Sequence, residues 1–201
     1  MEIEVIGKSL IKVKPDTLTI YFRFEKTEKS YEKVFESGLK QVEETLNKLR
    51  KIGFKKEDFK TQQFQINKNK IFNEETKTYQ EEYNFFQIIE VMFPYDVNKM
   101  NNIMRELTKV DSPSYNIEAS LKHQKKYEVE LFEIAFKDAK SKAEILAKIN
   151  HKKLKECEEI KEIDTGFLSP ILLKAESDFQ TTYNSSDITI EKQIKTEWEA
   201  E

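Results

Sequence analysis

The stretch KKYEVELFEIAFKDAKSKAEILAKIN, residues Lys125–Asn150, decides how the rest of the chain is read. Its small residues recur every fourth position, at Ala135, Ala139, Ala143 and Ala147. On a helix, a residue four positions on sits one turn above the last, so these methyl groups form one slowly winding seam. Alanine leaves almost no side chain, and a sheet backbone can approach closely along such a seam. Tyr127, Leu131, Leu146 and Ile149 add bulk at its two ends.

Outward from this helix, the N-terminal residues alternate as a strand, with Ile3, Val5, Ile11 and Val13 apolar. Gly7 interrupts them, as expected at a bulge or a close backbone contact. Lys14-Pro15-Asp16 reads as a turn. Leu18, Ile20, Phe22 and Phe24 then alternate with polar residues, and the two strands are expected to form a hairpin. Ser30 is a candidate N-cap for a helix over 31–52, whose face is Tyr31, Val34, Phe35, Val42, Leu46, Leu49 and Ile52, with Gly38 on the same side. Gly53 stands where a left-handed terminating residue belongs.

Residues 61–93 read as a long two-stranded ribbon with a polar tip at Asn73-Glu74-Glu75-Thr76. Its second arm is apolar on both faces near the base: Tyr83, Phe85, Ile89, Val91 and Phe93 on one, Phe86, Ile88 and Met92 on the other. Such a base is expected to be sandwiched or shared with another subunit. Asp96 can cap a second helix over 96–110, followed by a short strand at Tyr115, Ile117, Ala119 and Leu121. The alanine helix spans 124–150, with Asn150 expected to stop it in the left-handed conformation. Leu154–Ile163, rich in Glu and Lys, suits a sheet edge. Residues 164–186 have no period and read as a long loop with an apolar island, Ile171-Leu172-Leu173. Ile188, Ile190, Ile194 and Trp198 form a last strand. The class is α+β: two intimately packed α/β lobes with mixed or antiparallel sheets, three helices and the ribbon.

The chain has 201 residues, enough for one large domain or two small lobes with a substantial core. Hydrophobic residues are 38% and charged residues 35%, yet 14 Phe and 8 Tyr supply ample core material and argue against disorder. The formal charge of -3 is spread as interspersed signs, which argues against a phosphate-seeking or nucleic-acid-binding surface. No window approaches the roughly 20 apolar residues of a membrane helix. Met1-Glu2-Ile3-Glu4-Val5 runs straight into a strand pattern with no signal-peptide character, so a cytoplasmic location is expected.

Together these stretches resemble the SIMPL domain family, a domain of unknown function. The likeness covers nearly the whole chain. It rests on Val5-Ile6-Gly7 followed by Val13-Lys14-Pro15-Asp16; on Gly53 with Asp58 and Thr61; on the aromatic-started strand Tyr83 to Phe93; and on the four-spaced alanine helix followed by Leu154 to Glu162 and the strand Ile188 to Trp198. Each motif alone is weak, and their joint order is the specific feature. Ser9 stands where the family often has a second glycine, and Asn150 where it often has a helix-ending one. The resemblance implies one SIMPL-like domain over 1–201, built as a two-lobed unit that self-assembles, in some relatives into large rings. Mammalian relatives are signalling adaptors and many bacterial ones are periplasmic. No established catalytic residues come with the resemblance.

The residues themselves offer little chemistry. His123 and His151 flank the alanine helix about 28 positions apart, on a rod of about 40 Å, and cannot share a metal within one subunit. Cys157, the single cysteine, lies among Glu156, Glu158 and Glu159, which disfavour its thiolate. Glu74-Glu75 and Glu81-Glu82 are adjacent in sequence, and since strand neighbours point to opposite faces neither reads as an acid/base dyad; Glu74-Glu75, at the tip, read as solubilising. With four glycines and no phosphate-cradling loop, no nucleotide site is expected. Neither a metal nor a cofactor is expected. The expected function is a self-associating, non-enzymatic interaction module, related to stress or signalling, with Phe86, Ile88, Ile171 and Leu172 as interface candidates. The alternative is a small-ligand-binding protein or a hydrolase-type enzyme with a polar cleft between the lobes.

Overall fold

The computed structural model describes residues 1–74, 77–111, 113–163, 171–173 and 187–201, the side chains of residues 73 and 171–173 excepted. These form an α+β fold of three α-helices and two sheets, and every strand pairing is antiparallel. The strands are β1 (Glu2–Val13), β2 (Thr17–Glu28), β3 (Phe59–Asn73), β4 (Thr78–Pro94), β5 (Ser114–Ser120), β6 (Leu154–Ile163), β7 (Ile171–Leu173) and β8 (Ile188–Ala200). The helices are α1 (Tyr31–Lys51), α2 (Val97–Leu107) and α3 (Glu128–Ile149), the last entered through a 3-10 turn at Gln124–Tyr127. They separate into two compact units, described in turn.

In the first unit, three strands in the order β1-β8-β6 carry α3 on one face. Ile3, Val5, Ser9, Ile194, Thr196 and Trp198 point under the helix and are buried. The four alanines and Leu131 are essentially inaccessible, so the seam is the contact the spacing anticipated. Gly7 explains how close the contact is. A Cβ built there would stand 2.0 Å from the Ala135 carbonyl oxygen and 2.8 Å from the Ala139 methyl. Proximity lets α3 also reach the outer edge of β1. The Lys8 amide donates to Asp138 Oδ2 at 2.8 Å, and Lys142 Nζ donates to the Ile6 carbonyl at 2.9 Å and pairs with Asp138 at 2.5 Å. Two of the edge strand's outward backbone groups, at its middle, are thereby occupied. Ser9, in place of a second glycine, is accommodated by donating its hydroxyl to the Lys192 carbonyl at 3.2 Å. The Phe136 ring lies 5.5 Å from that of Trp198, whose indole N–H donates to Thr196 Oγ1 at 2.8 Å.

The second unit has five strands in the order β3-β4-β2-β5-β7, with α1 and α2 against one face. Leu18, Ile20, Phe22 and Phe24 of β2 and Phe85, Ile89, Val91 and Phe93 of β4 meet Val34, Val42 and Leu49 of α1 and Met100, Ile103 and Leu107 of α2 in one core. Gly38 admits the Phe85 ring, whose nearest atoms would be 2.4 Å from an added Cβ. Caps stand where the sequence put them. Ser30 accepts from the Lys33 amide, and Asp96 from the Lys99 amide at 3.0 Å. Gly53 has φ +99° and completes a Schellman turn, with Phe54 N donating to Leu49 O and Gly53 N to Arg50 O.

Four expectations are corrected. β1 and β2 form no hairpin: β1 joins β8 in one sheet, while β2 is flanked on both sides by β4 and β5. Asp16 marks the divergence, donating its N–H to Ser120 O and accepting at its carbonyl from Tyr95 N. No mixed sheet occurs among the described residues. At the end of α3 the left-handed residue is His151 (φ 53°), not Asn150, and the turn is again a Schellman motif, with Lys152 N on Ala147 O and His151 N on Lys148 O. The stretch read as an unbroken loop contains β7, which pairs with β5, Ile171 opposite Ala119 and Leu172 opposite Glu118. The rest of that reading, 164–170 and 174–186, lies outside the described residues. Conversely, β6 is a sheet edge, as its charge suggested.

Two outcomes follow. Gly7→Ala forces a methyl group into backbone that cannot yield, so the loss is expected at or above the top of the ordinary overpacking range, about 3 kcal/mol, read by chemical denaturation. Asp138 is held below the usual carboxylate range, first by its hydrogen bond from Lys142 and also by the Lys8 amide. A depressed folded value places its contribution above the unfolded carboxyl's titration and removes it as pH falls through the folded value. Asp138→Asn is therefore expected to cost under about 1 kcal/mol near neutral pH, with the variant's Tm converging on the parent's in acid.

Candidate interaction surface

The face of the five-stranded sheet away from α1 and α2 is set by strand alternation. On β4 it takes Phe86, Ile88, Glu90 and Met92; register places Glu25, Arg23, Tyr21 and Thr19 of β2 opposite them in that order. Phe86 and Ile88 are half-buried and Met92 is 44% exposed. The Arg23 guanidinium carbon lies 5.6 Å from the Phe86 ring centre, a cation–π contact at an exposed site. Deeper on the face, Glu90 is buried and accepts a short hydrogen bond from Gln62 Nε2. Gln62 is the extra residue at the bulge between Thr61 and Gln63, so the bulge turns this amide toward the carboxylate. Burial pushes the Tyr21 phenol above its ordinary value, and the Glu118 and Glu90 carboxylates push it further.

Beyond the helices the ribbon continues outward. Every residue from Asn67 to Glu81 whose side chain is described is exposed. Phe72 and Tyr79 face each other across the strands with ring centres 5.2 Å apart, and Lys68 pairs with Glu81 at 2.8 Å. Ile71 and Phe72 stay close to half exposed and Tyr79 is 72% exposed. A two-stranded ribbon is marginal on its own in water, so this arm is held by few interactions of its own.

Of the four interface candidates, Phe86 and Ile88 lie together on this face. Ile171 and Leu172 lie on β7, separated from β4 by β2 and β5, and their side chains are outside the described residues. The reading of β4 as apolar on both faces at its base holds, but the Phe85 face is filled by helices of the same chain. Sequence reasoning missed the Tyr21–Glu90–Glu118 grouping, because three residues from three strands meet only through register.

Other groups stand as follows. An open groove of about 690 Å³ runs between α1 and the segment after α2, lined by Glu44, Asn47, Lys48, Lys51, Thr108, Lys109, Val110 and Asp111. Its charges are of both signs, and Lys109 is tied to Glu106. Among the described residues no three His, Cys, Asp or Glu converge on a metal position. His123 and His151 stand on either side of α3, as their spacing required. Cys157 Sγ donates to the Glu159 carbonyl at 3.4 Å, and the thiol is pushed up by burial, the direction expected though not through the neighbouring carboxylates. No described helix is long and apolar enough to cross a membrane.

The family model of SIMPL, described as a protein of unknown function (DUF541), matches residues 3–198, from the first strand to the end of the last. The chain belongs to the SIMPL family. No curated protein matches it. In this SIMPL chain several of the quoted motifs have structural work: Gly7 and the alanines form the helix–sheet contact, Gly53 ends α1, and the strand from Tyr83 carries Phe86 and Ile88 on the exposed face.

Because neutral Tyr21 is favoured in the fold, its contribution is complete below the ordinary phenol value and is lost as pH rises through the raised one. Spectrophotometric titration is expected to show late-ionising tyrosines, and Tyr21→Phe to remove one of them. Glu118→Gln should bring that tyrosine's midpoint back toward the ordinary value.

Proposed function

We propose that this SIMPL-family protein is a non-enzymatic assembly module that associates with further copies of itself through the outer face of β4 and the exposed arm. The observation that carries the reading is the arm: a two-stranded extension with Phe64, Ile71, Phe72 and Tyr79 open to solvent. Exposed apolar side chains on an element that cannot bury them itself mark a contact surface. Of these, Ile71 shares the face of Phe86, Ile88 and Met92, which carry apolar surface onto the sheet, and the polar groups deeper on that face are already bonded to one another, so a partner would not strand them. Ile171 and Leu172 would join the contact through β7. Residues of this kind position a protein rather than transform a substrate, which supports a scaffolding role; a stress or signalling setting within the cytoplasm belongs to the proposal.

Light scattering at micromolar concentration tests this directly. The expected mass is a multiple of the single-chain 23.9 kDa, and Phe86→Asp with Ile88→Asp should shift it to that value while leaving the helical circular dichroism unchanged. A parent protein that stays at 23.9 kDa across the concentration range would refute the proposal.

A further inference from the structure

Among the described residues four strands, β1, β3, β6 and β7, pair on one side only. The outer edge of β1 is interrupted at its middle, where Asp138 holds the Lys8 N–H and Lys142 the Ile6 carbonyl, and β7 is three residues long. Two long open edges remain, β3 in one unit and β6 in the other, and their charges are opposite. β3 carries Lys60, Lys68 and Lys70 and no carboxylate. β6 carries Glu156, Glu158, Glu159 and Glu162 against Lys155 and Lys161. The ion pairs described engage Lys68, Glu159 and Glu162, but leave Lys60, Lys70, Glu156 and Glu158 outside any such pair among the described residues.

Charge on an edge strand is a guard against indiscriminate pairing. Here it guards selectively. Two β3 edges brought together would join strands whose only charges are lysines, and two β6 edges strands with four glutamates against two lysines, so either like pairing concentrates charge of one sign. A β3 edge beside a β6 edge meets neither objection. Both also carry an exposed apolar side chain, Phe64 on β3 and Ile160 on β6.

We propose that self-association occurs edge to edge, β3 of one copy taking β6 of the next as an added strand. The inference rests on the self-association proposed above and names its joint. Such a contact is heterologous: a copy engaged through β3 still offers β6, so the assembly grows until it closes on itself or continues as a filament. The face bearing Phe86 and Ile88 lies one strand, about 4.8 Å, from the joint and is continuous with it.

A charge exchange in the full chain tests the joint. One variant carries Lys68→Glu and Lys70→Glu, the other Glu156→Lys and Glu158→Lys. Alone, each is expected to fall to 23.9 kDa by light scattering with its Tm near the parent's, and an equimolar mixture is expected to recover the parental mass, because each variant's reversed edge then faces its complement. An oligomeric parent whose variants keep their mass overturns the edge pairing and leaves self-association standing. Variants that dissociate and are not rescued by mixing overturn it as well, since a damaged arm cannot be repaired by the other variant. A parent that is itself monomeric removes both proposals.

Discussion

The close approach of α3 to β1 governs the first unit. Where most helix–sheet contacts are spaced by side chains, this one has Gly7 opposite the Ala135 carbonyl and the Ala139 methyl, with no room for another carbon. Two consequences follow from that single distance. The helix lies near enough for Asp138 and Lys142 to reach past its flank and occupy the backbone of the neighbouring edge. The helix also excludes water from a small core in which the alanine methyl groups meet Ile3, Val5, Leu131, Ile194 and Trp198, with Phe136 and Leu154 at its margin. Such a core gains more from contact closeness than from buried area, because dispersion falls steeply across even a narrow gap.

The second unit solves the same problem of covering a sheet in the opposite way. Its core is large and aromatic, with Phe22, Phe24 and Phe85 fully buried beneath two helices, and Phe54 against Phe93 with ring centres 5.6 Å apart. Bulk on one face leaves the chain free to extend β3 and β4 past the helices. The arm that results has the ladder hydrogen bonds of a sheet without a layer to cover it. The polar face beneath it is bonded internally through Gln62, Glu90, Glu118 and Tyr21, and its apolar row is left open. A two-stranded element of this kind has little apolar burial of its own to stabilise it.

Much of the fold was legible along the chain. The alanine seam, the caps at Ser30 and Asp96, the terminating Gly53 and the edge character of Leu154–Ile163 each depend on local rules, and each stands where it was read. The readings that failed concern partners distant in sequence. Two strands joined by a Lys-Pro-Asp turn look like a hairpin until β4 and β5 are seen to occupy both sides of the second. The candidate face was half legible: Phe86 and Ile88 follow from alternation on β4, whereas Tyr21, Glu90 and Glu118 converge from three strands, and Gln62 reaches them only through a bulge.

What the sequence by itself determined is therefore the elements other than β7, their buried faces and the family to which they belong. Periodicity, capping and the placement of small residues act within a few positions, so one-dimensional order records them. Tertiary structure alone decided which strand lies beside which, that Gly7 faces a helix carbonyl rather than a bulge, and that the two long open edges carry opposite charge. Those facts depend on which distant segments come to lie side by side, a choice made by competition among many pairings during collapse and written in no single stretch of the chain.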